Sequence, residues 1–324
     1  MINKIFRKFL RIILRPFIRK NLFDYSSYHK LISLENKSLN DEETSEYIFN
    51  ALTKEKPFMV SRFGYTELNT LFRFNNYIKM NEFEKIYHWS ETLQYPFSKN
   101  CRLNNIYKLS GFFPVTKESL FQFKKEMINS IKDIDLLGSW VDGENKFIKY
   151  MQNVQICHLA SIEPYFSKNP WSIALKNKKV LVIHPFAKTI ENQFTQKREK
   201  IFKNKNILPN FYLKTLKAPI TYPGSNLIEG SWFEILDQLT NNALKIDFDI
   251  AIIGCGAYGM PLASRLKKAG KKSIHLGGAT QILFGIKGKR WDEIDLFKNF
   301  YNEYWVYPSP ENIIYQNVEG GCYW

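Results

Sequence analysis

The stretch from Asp249 to Trp291, DIAIIGCGAYGMPLASRLKKAGKKSIHLGGATQILFGIKGKRW, limits the architecture more than any other part of the chain. An apolar run, Ile250 to Ile253, turns through Gly254-Cys255-Gly256-Ala257-Tyr258-Gly259 into a helical pattern and re-emerges as a second apolar run, Ser273 to Leu276. Strand, glycine turn, helix and strand in that order make a βαβ unit. A helix opening on such a turn offers backbone N–H groups and a partial positive charge to a phosphate. The same glycines also suit a plain tight turn from strand to helix, and both readings stand at this point.

The rest of the chain extends the alternation. Pro57–Phe63, Lys178–Ile183, Leu213–Pro219 and Glu303–Tyr307 read as further strands. A helix follows the first of them through Leu68, Leu71 and Phe72; residues 80–135 read as mostly helical, and Thr189–Phe202 and Trp232–Ala243 as helices. The fold class expected is α/β, a Rossmann-like, mainly parallel sheet with flanking helices. A hydrophobic fraction of 44% with 24% charged residues excludes wholesale disorder. Cys101, Cys157, Cys255 and Cys322 show no CxxC spacing, hence no zinc site or disulfide framework, which fits a reducing cytoplasm.

The net charge of +15 is unevenly placed, because residues 1–20 hold seven Lys/Arg and no acid. In that segment Ile2, Ile5, Phe6, Phe9, Leu10, Ile13, Leu14 and Phe17 share one helical face, opposite Lys4, Arg7, Lys8, Arg11 and Arg15. It is too charged to span a bilayer and has no signal-peptide core. It reads either as a helix lying on an anionic membrane surface or as one docked on the protein itself, with the first favoured. The expected organisation is therefore a basic helix over residues 1–23 and a single α/β domain over residues 24–324. No helix-turn-helix, zinc-finger or RNP-type pattern appears, so nucleic acid is not an expected partner.

Several residues carry candidate chemistry. A dinucleotide fold places Asp or Glu at the end of the second strand to hold a ribose, yet that strand ends His275-Leu276-Gly277-Gly278. NAD is disfavoured and a sugar nucleotide is not. Lys287, Lys289 and Arg290 can neutralise a diphosphate, Arg290 bidentately, and Trp291 or Tyr258 can stack on a base. His184 ends a strand and is either structural or a catalytic or phosphate-binding group. Arg62, Gly64 and Glu67 end the first strong strand, with Glu67 a candidate base or metal ligand, or simply a carboxylate at a helix N-terminus. Of two Asp-x-Asp spacings, Asp247/Asp249 precedes its strand and is set aside; Asp133/Asp135 is kept as a minor metal candidate.

Taken together, Ser61-Arg62-Phe63-Gly64-x-x-Glu67, Leu181–Phe186, the Gly254–Gly259 turn, His275–Trp291 and Val318–Trp324 resemble the bacterial GT-D-type glycosyltransferases of capsule, O-antigen and other surface-polysaccharide assembly. The likeness spans roughly residues 55–324. It implies transfer of a sugar from a nucleoside-diphosphate sugar to a glycan or lipid-linked glycan acceptor; the cysteine pattern and the basic N-terminal segment place the expected enzyme in the cytoplasm, peripheral at the inner face of the membrane. The likeness also implies donor contacts from Arg62, Gly64, Gly254, Gly256, Tyr258, Gly259, His275, Gly277, Gly278, Gln281, Lys287 and Arg290, with Glu67 or His184 as catalyst. The better-known branch resembles Arg-Phe-Gly-Asp-Gly-Glu, whose Asp-x-Glu pair serves metal and donor. Here the positions read Tyr65-Thr66-Glu67. Only Glu67 carries over, so a Mn or Mg requirement is in doubt. The alternatives are a nucleotide-sugar-binding subunit without chemistry and, more weakly, a Rossmann oxidoreductase.

Overall fold

A computed structural model describes residues 13, 38–82, 84–86, 105–221, 230–309 and 321–323. Apart from Ile13, the basic helix expected over residues 1–23 lies outside the described residues, as does Cys101. Among the described residues no helix is long and apolar enough to cross a membrane.

Eight strands form one sheet: β1 (Ser38–Leu39), β2 (Phe58–Ser61), β3 (Leu136–Ser139), β4 (Gln155–His158), β5 (Lys179–His184), β6 (Tyr212–Lys217), β7 (Ile250–Ile253) and β8 (Lys272–His275). Their order is β1-β4-β3-β2-β8-β7-β5-β6, and every neighbouring pair is parallel. This is the Rossmann-like α/β class expected from the sequence. The central strands are apolar on both faces because both faces are covered. Along β5, Leu181 and Ile183 enter one core layer and Val180 and Val182 the other; Ala251/Ile253 and Ile250/Ile252 divide in the same way along β7. The edge strand β6 alternates and carries Lys214 and Lys217, which discourages further pairing.

The connections follow one rule. Those passing from β2 to β3, β3 to β4, β6 to β7 and β7 to β8 move along the sheet toward the β1 edge. Their helices, among them Tyr65–Lys79, Lys117–Ile131, Trp232–Leu244 and Gly259–Lys268, bury Leu71, Phe123, Leu236 and Leu262 in the first layer. Those passing from β1 to β2, β4 to β5 and β5 to β6 move the other way, and Ile48, Trp171 and Ile190 pack in the second layer. One hand throughout is what parallel crossovers require. The helices that open this way are set by their caps: Asn40 with Glu43 begins Asp41–Thr53, and Ser231 with Glu234 begins Trp232–Leu244.

Three expectations change. Glu303–Tyr307 forms no strand; only Val306 makes an isolated bridge, to Ile286. Residues 105–135 are two helices, Asn105–Ser110 and Lys117–Ile131, followed by the unanticipated short strand β3. Asp133 and Asp135 sit at the N-terminal edge of the sheet. There Lys268 pairs with Asp133 at 2.8 Å and Lys267 with Asp135 at 2.6 Å, while Asp135 Oδ2 accepts the Met59 N–H at 2.8 Å. These carboxylates fasten strand ends. Replacing Asp135 by Ala orphans the Met59 backbone donor and removes the charge partner of Lys267, which keeps its bond to the Asp133 carbonyl. It is expected to lower stability in urea by roughly 1–3 kcal/mol, by the same amount with and without EDTA, whereas a metal role would make the loss EDTA-dependent.

Candidate functional site

Strand direction decides where the ends meet. The crossover from β5 leaves on one face and that from β7 on the other; the same reversal separates β2 from β8 and β7 from β8. At such switch points the C-terminal ends of the strands open into a crevice. A cavity of about 200 Å³ occupies it, with Arg62, Gly64 and Glu67 after β2, Trp140 after β3, and His184, Pro185 and Phe186 after β5 on its walls. The Gly254–Tyr258 turn after β7, His275, Gly277 and Gly278 after β8, and Arg290 and Tyr323 complete that side. Leu109–Gly111 and Pro219–Thr221 close the opposite end.

The glycine turn is built for close approach. Gly256 has φ +56°, a left-handed conformation that suits glycine. At Gly259 a Cβ would stand 2.2 Å from His275 Nε2, so this glycine lets the helix seat against the imidazole. The N–H groups of Cys255, Gly256 and Ala257 have no hydrogen-bond acceptor among the described residues, and all three residues line the cavity. The turn therefore serves both protein packing and an open row of donors at the start of the helix Gly259–Lys268.

Charge in the cavity is cationic. The half-buried Arg62 donates from Nε to the Phe63 carbonyl at 3.2 Å and lies 4.5 Å over the Trp140 ring. Trp140 is itself pinned by its indole N–H on the same carbonyl at 2.8 Å. Burial draws the Arg62 pKa down, and the Arg290 charge does too; Tyr323, Glu67 and Glu163 oppose them. An arginine stays protonated through such a shift, so it presents a desolvated cation. Arg290, exposed at the rim, stacks 4.5 Å over Tyr323. Behind Arg62 stand two buried acids. Burial pushes Glu144 up to about 7 against hydrogen bonds from Ser139 Oγ at 2.5 Å and Val141 N–H at 3.0 Å, with the Arg62 charge also lowering it. Glu163, which accepts the Tyr165 hydroxyl, is likewise pushed up to about 7 by burial, with Tyr165 and then Arg62 opposing.

The histidines are neutral. Burial pulls His184 and His275 down to about 3, and Arg62 adds to the effect on His275. His184 Nδ1 accepts the Phe186 N–H at 3.0 Å, which leaves the proton on Nε2. His184 is thus a hydrogen-bond donor in the cavity, and its expected role as a base is corrected. His275 Nδ1 lies 3.0 Å from Ser61 Oγ. Cys255 is no thiolate either, since burial pushes its pKa up.

Other expectations also need adjustment. Tyr258, 2% exposed, lines the cavity, and its ring stacks on Trp232 at 5.3 Å and 14° while its hydroxyl meets Thr221 at 3.2 Å. Trp291 is 6% exposed and packs on Phe297 and Tyr323. Gly259, Gln281 and Lys287 are not among the walls. Lys287 lies over the rings of Tyr301 and Tyr307, at 5.1 and 5.7 Å, and Lys289 is an exposed side chain outside the lining. Residues that sequence reasoning missed include Trp140, Glu144 and Glu163; all three follow β3 or β4, short strands whose sequences, LLGS and QICH, carry little β signal. Among the described residues no group of three His, Cys, Asp or Glu can hold a metal. Glu67, among the described residues the one carboxylate on the wall, shares it with two arginines, a donor set that does not fit a protein-built Mn or Mg centre.

No family model matches the chain, and no curated protein does. Two solved structures resemble it. One is a selenomethionine-substituted domain of unknown function 1792, 13% identical over 86% of this chain and 94% of that one, with a TM-score of 0.39. The other, described as domain of unknown function 1792 with a distinct glycosyltransferase fold, is 12% identical over the same shares, with a TM-score of 0.35.

The four titrations give a pH profile. Between about pH 4.5 and 6.5 the unfolded chain binds two protons at these histidines, and the folded chain binds two at Glu144 and Glu163, so their net slope is near zero. Below pH 4.5 the depressed histidines dominate and stability falls with falling pH. From pH 6.5 to 7 the raised acids dominate and stability falls with rising pH. Glu163→Gln is expected to leave a rising slope of about 1.4 kcal/mol per pH unit between pH 4.5 and 6.5 relative to the parent protein, read from urea titrations across that range.

Proposed function

We propose that this chain is a glycosyltransferase that takes a sugar from a nucleoside-diphosphate donor. The observation that carries the reading is the pair Arg62 and Arg290 on the cavity lining with the N–H groups of Cys255, Gly256 and Ala257, which have no acceptor among the described residues. Glu67 and Glu163 offset part of the Arg62 charge, and two guanidinium groups near one cavity still favour an anionic ligand. A diphosphate supplies that anion, and guanidinium groups match its oxygens in pairs. The motif resemblance to GT-D-type enzymes supports the same substrate class.

In this reading the arginines, the turn and the His184 Nε2–H hold the diphosphate and stabilise the charge that develops on it as it leaves. Glu67, 7% exposed on the cavity wall, takes the proton of the acceptor hydroxyl as its oxygen bonds to the sugar carbon and the bond to the diphosphate oxygen breaks. The acceptor proposed is a glycan or lipid-linked glycan of a bacterial capsule or O-antigen type. The basic segment 1–20 would hold the enzyme at the anionic inner face of the membrane. A second reading, a nucleotide-sugar-binding subunit without chemistry, draws on Tyr65 standing where the family's first carboxylate is expected.

Turnover of a panel of UDP-, GDP- and CMP-sugars, each with and without EDTA, tests the proposal. Release of nucleotide that persists in EDTA is the expected result, because the arginines do the neutralising. Glu67→Gln should cut turnover by roughly 10²–10⁴-fold while leaving donor affinity within a few-fold. A protein that binds donors but turns none over belongs to the second reading, and one that binds no nucleotide sugar removes both.

A further inference from the structure

The second glycine-rich segment, His275 to Trp291, supplies less of a phosphate cradle than its composition promises, because much of it receives another part of the chain. Gln281, fully buried, donates from Nε2 to the carbonyls of Lys287 at 2.5 Å and Tyr323 at 2.9 Å. The Arg290 N–H donates to the Cys322 carbonyl at 2.8 Å. A Cβ on Gly288 would stand 2.8 Å from the Tyr323 carbonyl oxygen, and one on Gly278 would stand 2.9 Å from Tyr323 Cε1. Two glycines are thus cut away where Tyr323 enters, and two backbone carbonyls of the segment are held by dedicated donors. Its ring completes the seat against Trp291, 5.9 Å between centroids.

Seated this way, Tyr323 is a wall of the cavity and touches one of its two cations. Arg290 Nη1 donates to the Tyr323 hydroxyl at 2.9 Å, with the guanidinium 4.5 Å over the ring. The contact fixes two faces of a long side chain that is otherwise exposed at the rim. Resting on the diphosphate reading above, we infer that Gly321–Tyr323 is a strap that completes the site, and that Tyr323 is a positioning residue which aims Arg290 at the anion. The strap orders a side chain before the ligand arrives, so less freedom is lost on binding.

The test combines a ligand arm and a ligand-free arm. The ligand arm titrates UDP, GDP, CDP and inorganic pyrophosphate into the full chain and into Tyr323→Phe, Arg290→Ala and the double variant. Tyr323→Phe keeps the ring and removes the hydroxyl, and is expected to weaken the tightest of these ligands roughly tenfold, the scale of a hydrogen bond to a charged group. In the Arg290→Ala background the same change should cost nothing further, because Tyr323 acts through Arg290. Unchanged affinity in Tyr323→Phe, or a full additional loss in the double variant, overturns the positioning role. The ligand-free arm follows hydrogen exchange at the Arg290 amide in Gln281→Leu: faster exchange supports the strap, and unchanged exchange overturns it. If the parent protein binds none of the four anions, the diphosphate reading falls and takes the positioning role with it, while the exchange result still decides the strap.

Discussion

A parallel strand can return to its sheet only through a crossover, and crossovers share one hand. In this chain that constraint turns the direction of travel into a choice of face. Steps toward the β1 edge put their helices in one layer, and steps toward β6 put theirs in the other. Because the chain reverses between neighbouring central strands, the helices that follow those strands leave on opposite sides and the strand ends between them open into a crevice. The cavity is the gap that handedness leaves open. Most of its walls are residues at the C-terminal ends of β2, β3, β5, β7 and β8, which explains how side chains as far apart in sequence as Arg62 and His275 come to share it.

Electrostatics gives that gap its character. The protein stations Arg62 on a tryptophan face, with carboxyls behind it that burial holds near neutrality at about 7, and adds Arg290 at the rim. The imidazoles contribute dipoles and no charge. Anion attraction is therefore left to guanidinium groups and backbone N–H groups, none of which titrates near neutral pH. The Glu144 and Glu163 side chains are the parts of the surroundings that do, and they lie behind the arginine, away from the ligand side.

Long apolar runs made the fold legible. KVLVIH and the IAII strand announce themselves, and the helical pattern of Trp232–Ala243 matches the helix Trp232–Leu244. What stayed hidden was short or tertiary. β3 and β4 are four residues each, so Trp140, Glu144 and Glu163 carried no label as site residues. For Gly259, the rule that the third glycine of such a turn permits close packing holds, and His275 is the partner. For Gln281 and Gly288 the composition was misleading. A glycine that admits a phosphate and one that admits a tyrosine look the same until the tyrosine is placed. Likewise Tyr258 and Trp291 read as stacking platforms, and only packing reveals that Trp232 and Tyr323 lie against them.

The two arginines belong to different halves of the molecule. Arg62 runs into the helix Tyr65–Lys79, anchored by Leu68 and Leu71 in one apolar layer, and Arg290 sits on Lys289–Asp292, anchored by Trp291 in the other. A ligand gripped by both acts as a cross-tie between two cores on opposite faces of the sheet. Its binding energy then opposes any loosening in which the layers part, and at a hundredfold excess over its dissociation constant that resistance amounts to about 2.7 kcal/mol. Occupancy would show as mechanical cohesion of the whole α/β body, well beyond the crevice where the anion rests.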